Sequence, residues 1–433
     1  MPARTTALKG LITIRTNDAW SDAVLGDLIK KAELSQKDAS LCTTLVYGVL
    51  QNRALLDYYI DSFLQGRKRL QPVLRDILRL AVYQILFLDR IPDSAAVNEA
   101  VKIAKSHFSQ REAGLCNGIL RNLLRQKETL TPPKDYHIRY SHPSDLVDLM
   151  KESVGKKLSK ILEADNSSPE TSVVVNTLKC SPKELEESLL SSGVTATPHP
   201  WLKNGYLLRG TGSMDKLPAF RDGLLQVQDA AARLSVDVIG LKPGMKVLDL
   251  CSAPGGKSMA AAMHMENQGK IISCDLHGGK LPQIQMAAER LGVTIVSTME
   301  NDASQFRSEW EGCFDAVIAD VPCSGLGVIR KKPDIRYKNL ADMEALPPIQ
   351  RAILENAGRY VRPGGDLLYS TCTILKRENE DVVHDFLSGH PEYEAVSLEL
   401  PEGLSEQETG MLTLYQGIND CDGFFLCHMR KKL

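Results

Sequence analysis

The chain has ten cysteines but no C-x-x-C pair, nine histidines without ligand-like spacing, and no apolar run that would cross a bilayer. Scattered thiols argue against a disulfide framework and against a structural zinc site, so no metal is expected. The most apolar stretch, Leu78 to Leu88, is interrupted by Arg79 and closes on Asp89, too short and too charged for a span. The amino terminus, Met1-Pro2-Ala3-Arg4, leads into no long apolar core of the kind a secretory signal needs. These absences predict a cytoplasmic protein with reduced thiols and no membrane partner. Also missing are the G-x-G-x-x-G fingerprint of nicotinamide enzymes and a Walker loop, which removes two common phosphate cradles.

Charge of one sign is scarce as well. The chain carries 52 Lys and Arg against 54 Asp and Glu, a net of −2. The distribution is uneven, because residues 1–128 hold 19 basic and 13 acidic side chains while the remainder holds 33 and 41. A basic first third on an acidic remainder reads as a nucleic-acid docking module joined to something else. At 433 residues, 43% of them hydrophobic, the chain suits about three domains of roughly 150 residues each.

Residues 4–128 have helical periodicity, with helices predicted over 19–32, 38–50, 76–88, 95–106 and 112–127. The third is apolar on nearly every side, as the centre of an all-α bundle would be. Ile91-Pro92, the run Val97 to Lys105 and Asn117-Gly118-Ile119-Leu120-Arg121-Asn122 resemble the NusB transcription-antitermination family, which implies RNA binding. Arg67-Lys68-Arg69 is a candidate phosphate contact.

Two prolines in Thr129 to Pro133 mark a linker. Beyond it, a helix near 144–164, a strand at 172–176, a helix at 182–192 and a strand at 206–209 predict a small α+β domain. From Gln226, strands at 246–251, 270–275, 294–298, 314–320 and 365–370 alternate with helices at 257–265, 280–291, 339–360 and 377–388. That alternation predicts a doubly wound α/β Rossmann-like domain with a parallel sheet. A last strand at 423–429 is expected antiparallel, at or near an edge. The predicted domain limits are 1–128, 129–225 and 226–433.

The first strand of the last domain runs into Asp249-Leu250-Cys251-Ser252-Ala253-Pro254-Gly255-Gly256-Lys257 and opens a helix. A glycine pair there lets main chain approach a ligand, and the helix start offers unpaired amides. Asp275 ends the second strand about 20 residues later, where an acidic side chain takes ribose hydroxyls. Asp302, after the third strand, suits an adenine edge. S-adenosylmethionine has ribose and adenine but no pyrophosphate, so it fits carboxylates better than an anion cradle. The candidate cofactor residues are Cys251, Ser252, Ala253, Pro254, Gly255, Gly256, Lys257, Asp275, Asp302 and Asp320. Cys251 itself is read as packing rather than chemistry. Asp320-Val321-Pro322-Cys323 and Ser370-Thr371-Cys372 each follow a predicted parallel strand, at the sheet end where ligands bind. Spacing alone does not say which thiol acts first.

The stretches CSAPGGK, DVPCSGLGVIRKKPDIRY, STCTILKRENE and DGFF resemble the RNA cytosine carbon-5 methyltransferases. With the NusB-like first domain included, the chain resembles their bacterial RsmB family, which modifies 16S ribosomal RNA, usually at cytosine 967. The resemblance implies S-adenosylmethionine as methyl donor, 16S ribosomal RNA as substrate and a monomer. It assigns Cys372 as the attacking thiolate, Cys323 to product release, and Asp320 to the polar edge of the base. Carbon 5 of cytosine is a poor nucleophile until a thiolate adds at carbon 6 and makes it enamine-like. Lys257 and Arg330-Lys331-Lys332 are candidates for the positive field a reactive thiol needs, the latter also for RNA phosphate. A transfer-RNA methyltransferase and a non-catalytic assembly factor are the rivals. An idle protein has no physical need for Cys372, Cys323, Asp320 and the glycine loop together.

Overall fold

The structure, a computed structural model, describes residues 2–17, 20–64 and 69–433. It forms two compact units, Met1–Leu149 with Lys332–Tyr337, and Met150–Lys331 with Lys338–Leu433.

The first unit is built on helices Pro2–Asn17, Ser21–Lys31, Gln36–Asp61, Pro72–Phe87, Asp93–His107 and Gln110–Gln126. Local signals set their starts: Ser35 caps the third, Pro72 opens the fourth, and Ser109 with Glu112 forms a capping box on the sixth. The helix expected at 38–50 continues to Asp61, because Asn52 leaves helical geometry yet its Nδ2 still bonds Gly48 O at 2.9 Å. The central helix buries Asp76 and Arg79 along with its leucines. Those charges are matched, Arg79 to Asp57 at 2.6 Å and to Asp76 at 2.7 Å, which a buried charge requires. Lys332–Tyr337 belongs here through the fully buried Arg336, which donates to Gln51 O at 2.8 Å, and the Tyr337 hydroxyl, which donates to Leu50 O at 2.7 Å. Of the basic run 67–69, Arg67 and Lys68 lie outside the described residues, and Arg69 is exposed.

Helix Ser144–Val154 runs across the boundary into the second unit and is separated at Gly155 from helix Leu158–Ala164, where one helix was expected. Four strands follow, β1 (Thr171–Val175), β2 (Thr195–Pro198), β3 (Gly205–Arg209) and β4 (Leu225–Val227), in the antiparallel order β2-β3-β1-β4. The sequence reading missed β2 and β4, which are short, and β2 lacks a buried face. This sheet is fastened to the larger one by Asn176, whose Nδ2 donates to Leu291 O at 2.8 Å, and by Arg290, which reaches Leu225 O at 3.0 Å.

The larger sheet contains β5 (Lys246–Asp249), β6 (Lys270–Asp275), β7 (Val296–Glu300), β8 (Phe314–Asp320), β9 (Val361–Thr371), β10 (Tyr393–Ala395), β11 (Met411–Leu414) and β12 (Phe424–Lys431). Its order is β10-β12-β9-β8-β5-β6-β7, with β11 also on β12. The five strands β9-β8-β5-β6-β7 are parallel, as expected. β12 is antiparallel to β9, so the complete sheet is mixed, and β12 lies next to the edge, as expected, with β10 and β11 on its other side. Its buried run from Phe424 to Met429 has the burial of a central strand. The helix expected at 339–360 breaks into Leu340–Glu344 and Leu346–Tyr360, where Pro347 sits in the first turn of the second. Among the described residues no helix is long and apolar enough to cross a membrane. Strand order reverses between β5 and β8, and that switch point opens the crevice at their carboxyl ends.

Candidate active site

The loop after β5 is held from several sides. Asp249 is fully buried, and its Oδ2 accepts from Ser258 Oγ at 2.6 Å. Burial pushes the Asp249 carboxyl up to about 7, with the Ser258 bond opposing the rise. Ser252 ties the loop to the neighbouring strand by donating from N and Oγ to Cys274 O, at 2.7 and 2.9 Å. Gly255, at φ +103°, turns the chain into helix Gly256–His264; a Cβ there would stand 3.2 Å from Ile284 Cγ2. Burial and the nearby carboxylates raise the Cys251 thiol far out of the reactive range, which agrees with its reading as packing.

Asp275 closes β6, where its Oδ1 accepts from His277 N at 3.0 Å and meets Lys280 Nζ at 3.5 Å. Asp302 follows β7, is exposed, and accepts from Ser304 N at 3.0 Å. Asn301 N donates to Asp275 O at 3.0 Å and so ties the two loops together. Around these strand ends Asp249 Oδ1, Gln226 Oε1 and Asn301 Nδ2 are buried without a hydrogen-bond partner.

On the other side of the switch point, β8 and β9 run in register with Asp320 opposite Ser370. Their loops therefore leave the sheet abreast and bring Cys323 Sγ and Cys372 Sγ to 3.2 Å, both thiols free. Asp320 receives a hydrogen bond from Ser370 Oγ at 2.8 Å and pairs through Oδ2 with Lys257 Nζ at 2.7 Å. The Lys257 ammonium, nearly buried, also lies 4.9 Å over the Phe424 ring. The hydrogen bond with Cys372 raises the Cys323 thiol well above its ordinary range, and burial and the charges of Cys372, Glu378 and Asp320 add to the rise.

Two expectations about cations need correction. Lys257 is engaged by the Asp320 carboxylate, which offsets its field on the sulfurs. Arg330 and Lys331 are engaged too: Lys331 Nζ meets Asp422 at 2.6 Å and Asp229 at 3.0 Å, and Arg330 Nε meets Asp422 at 2.8 Å. Two carboxylates and two cations satisfy one another there, with the Asp422 carboxyl held up at about 6 by burial and by Asp229. Lys332, exposed, belongs to the first unit.

The closing DGFF stretch finds its purpose in the same place. Asp422 anchors that ion cluster, Phe424 lies under Lys257, and Gly423 N donates to Gly327 O at 2.9 Å. A Cβ on Gly327 would stand 1.8 Å from Gly423 O, a clash of backbone with backbone. Gly327→Ala is therefore expected to cost at least about 1–3 kcal/mol, as overpacking against atoms that cannot yield does. A thermal unfolding midpoint equal to that of the wild type would contradict the close approach.

Comparison with known proteins agrees with this architecture. Residues 236–430 match the family model of the 16S rRNA methyltransferase RsmB/F, residues 1–125 that of the NusB family, and residues 142–215 the ferredoxin-like domain of RsmF/B-like methyltransferases. The probable ribosomal RNA small subunit methyltransferase B of Bacillus subtilis is 37% identical, over 99% of this chain and 98% of its own. The chain belongs to the ribosomal RNA small subunit methyltransferase B family. The probable member from Synechocystis is 34% identical, with 99% of each chain covered. The crystal structure of PH0851 superposes with a TM-score of 0.81 at 27% identity, covering 100% of this chain and 99% of that one.

Methyltransferases of this family use S-adenosylmethionine, and the residues present fit it. Asp275 ends β6, Asp302 follows β7, and Asp249 Oδ1, Gln226 Oε1 and Asn301 Nδ2 are buried and unpartnered. Ribose hydroxyls and an adenine edge would satisfy such donors and acceptors, as buried polar groups require. Sequence reasoning missed Glu378, Gln350 and Asn379, fully buried polar side chains beside the two cysteine loops. A polar triplet such as Arg377-Glu378-Asn379 reads in sequence as an exposed turn.

Proposed function

We propose that the protein transfers a methyl group from S-adenosylmethionine to carbon 5 of a cytosine in 16S ribosomal RNA, through a covalent bond between Cys372 and carbon 6 of that base. The observation that carries this reading is the pair of free thiols 3.2 Å apart at adjacent strand ends, beside Asp320. The raised thiol of Cys323 favours Cys372 as the sulfur that reacts as thiolate. Addition of Cys372 sulfur to carbon 6 shifts the ring electrons toward carbon 5, while Asp320, an acceptor, takes a hydrogen bond from the polar edge of the base. When bound, S-adenosylmethionine supplies an electrophilic methyl group to carbon 5.

Release follows from the same coupling. Once Cys372 is bonded to carbon 6 it has no negative charge and no hydrogen bond to share, so the principal causes of the raised Cys323 thiol disappear. Cys323 then gives its proton to water, takes the proton from carbon 5, and the electrons of that C–H bond expel Cys372 as thiolate. The base is turned out of its stack to reach this crevice, as for other enzymes that work on a base. Residues 1–128 and 129–225 act as the RNA-binding and RNA-positioning domains around a catalytic domain at 226–433, in a cytoplasmic monomer. Candidate cofactor contacts are Cys251 to Lys257, Asp275, Asp302 and Asp320.

Cys323→Ala incubated with S-adenosylmethionine and 16S ribosomal RNA is expected to accumulate a protein–RNA adduct on a denaturing gel. The adduct should vanish when Cys372 is also replaced, and sequencing the adducted RNA names the base. Methylation of cytosine by the wild type with no adduct in Cys323→Ala would sink the assignment of the two thiols.

A further inference from the structure

The turn Lys376–Glu378 and the residue after it carry a polar network that no step above employs. Glu378, Asn379, Gln350, Ser324, Thr371 and Thr373 are all fully buried. Asn379 brackets Cys372: its Oδ1 accepts from Thr371 Oγ1 at 2.6 Å and its Nδ2 donates to Thr373 O at 3.0 Å. Glu378 and Gln350 bracket Cys323 in the same manner. Glu378 Oε2 accepts from Ser324 N at 2.9 Å and from Gln350 Nε2 at 2.9 Å, while Gln350 Nε2 also donates to Pro322 O at 3.0 Å. The two brackets are joined by the hydroxyls of Ser324 and Thr373, 2.7 Å apart. Glu378, Asn379 and Gln350 thus hold the chain on both sides of both sulfurs.

We propose that Glu378 and Asn379 are positioning residues that lock the Cys323 and Cys372 loops at sulfur–sulfur contact, with Glu378 as the charged member of that network. The proposal deepens the carbon-5 reading and rests on it for its catalytic meaning. The network holds one geometry through these bonds, with Glu378 Oε1 and Gln350 Oε1 buried and unpartnered, and a misplacement of about 1 Å in a reacting group costs on the order of 100-fold in rate. Besides Glu378, the groups that act on Cys323 are Cys372 and Asp320, the latter neutralised by Lys257. Tyr369, buried beside Cys323, donates its hydroxyl to Glu378 O at 2.6 Å, and Lys338 Nζ donates to Ser324 O at 3.3 Å.

Glu378→Gln retains an acceptor for Ser324 N and removes the charge; Asn379→Ala removes the bracket on Cys372. In the full-length protein without RNA, alkylation of Cys323 by iodoacetamide is followed against pH by mass spectrometry. Glu378→Gln is expected to bring the midpoint about one pH unit lower, the size of a neighbouring-charge effect. Diamide, which accepts the two thiol hydrogens, should form the Cys323–Cys372 disulfide about tenfold more slowly in Asn379→Ala, equivalent to about 1.4 kcal/mol in the barrier. A purely structural role would lower the melting temperature and leave both readouts at wild-type values, and that result overturns the proposal. If Glu378→Gln does not fold, Thr373→Val, which withdraws only the hydroxyl bridge to Ser324, is read by its oxidation rate; an unchanged rate there overturns it equally. Neither readout needs RNA or methyl donor, so failure of the clamp and failure of the carbon-5 reading are separate results.

Discussion

Cys372→Ala is expected to abolish methyl transfer, with a fall of at least about 10⁴-fold and toward the roughly 10⁶-fold that loss of a covalent nucleophile costs in other enzymes. The size follows from the chemistry, because without addition at carbon 6 no other group in the crevice makes carbon 5 electron-rich. The variant should still fold, since a half-buried thiol is replaced by a smaller side chain beside a network that does not use the sulfur. It should still bind 16S ribosomal RNA and S-adenosylmethionine with wild-type affinity. Single-turnover transfer of labelled methyl to RNA, with binding measured in parallel, checks both parts. Residual transfer within tenfold of the wild type would assign the attack to another group.

Lys257→Met is expected to lower methylation near pH 7 on the order of 10²–10³-fold, the usual effect of removing one preorganised charged group from an active site. The reason differs from the one the sequence suggested. The ammonium neutralises Asp320 at 2.7 Å, and Asp249, already held up at about 7, feels both charges. Without Lys257 the Asp249 carboxyl loses a cation that opposes its rise, so it becomes harder to ionise. Asp320, without its ammonium partner, is no longer held in place as the acceptor the base needs. The acidic limb of the pH–rate profile should therefore move to higher pH, with part of the activity recovered toward pH 9. A profile that keeps its shape and merely drops would mean that Lys257 acts elsewhere.

What was legible in the chain was legible for local reasons. β6 and β8 coincide with their predicted limits, 270–275 and 314–320, because each is a short apolar run ended by an aspartate. The strands that escaped notice, β2, β4, β10 and β11, are three or four residues long. Lys331 was misassigned for the opposite reason. Its partners, Asp229 and Asp422, lie 102 and 91 residues away, and no local pattern announces an ion cluster assembled from such distances. Glu378 and Asn379 resemble solvated loop residues until β9 and the loops beside it enclose them.

The sequence by itself determined the all-helical start, the parallel α/β core, the glycine turn and the presence of two cysteines and an aspartate at strand ends. Each of these depends on periodicity, on backbone preference at Gly255, or on residues within one loop. Only the tertiary structure decided that the sulfurs touch, that Lys257 belongs to Asp320, that Arg330 and Lys331 are spent on Asp229 and Asp422, and that β10 and β11 cover β12. These depend on which strand lies beside which, and strand order is set by burial of the whole sheet rather than by any one segment. Register then did the rest: Asp320 opposite Ser370 leaves the two following loops side by side, with their thiols in contact.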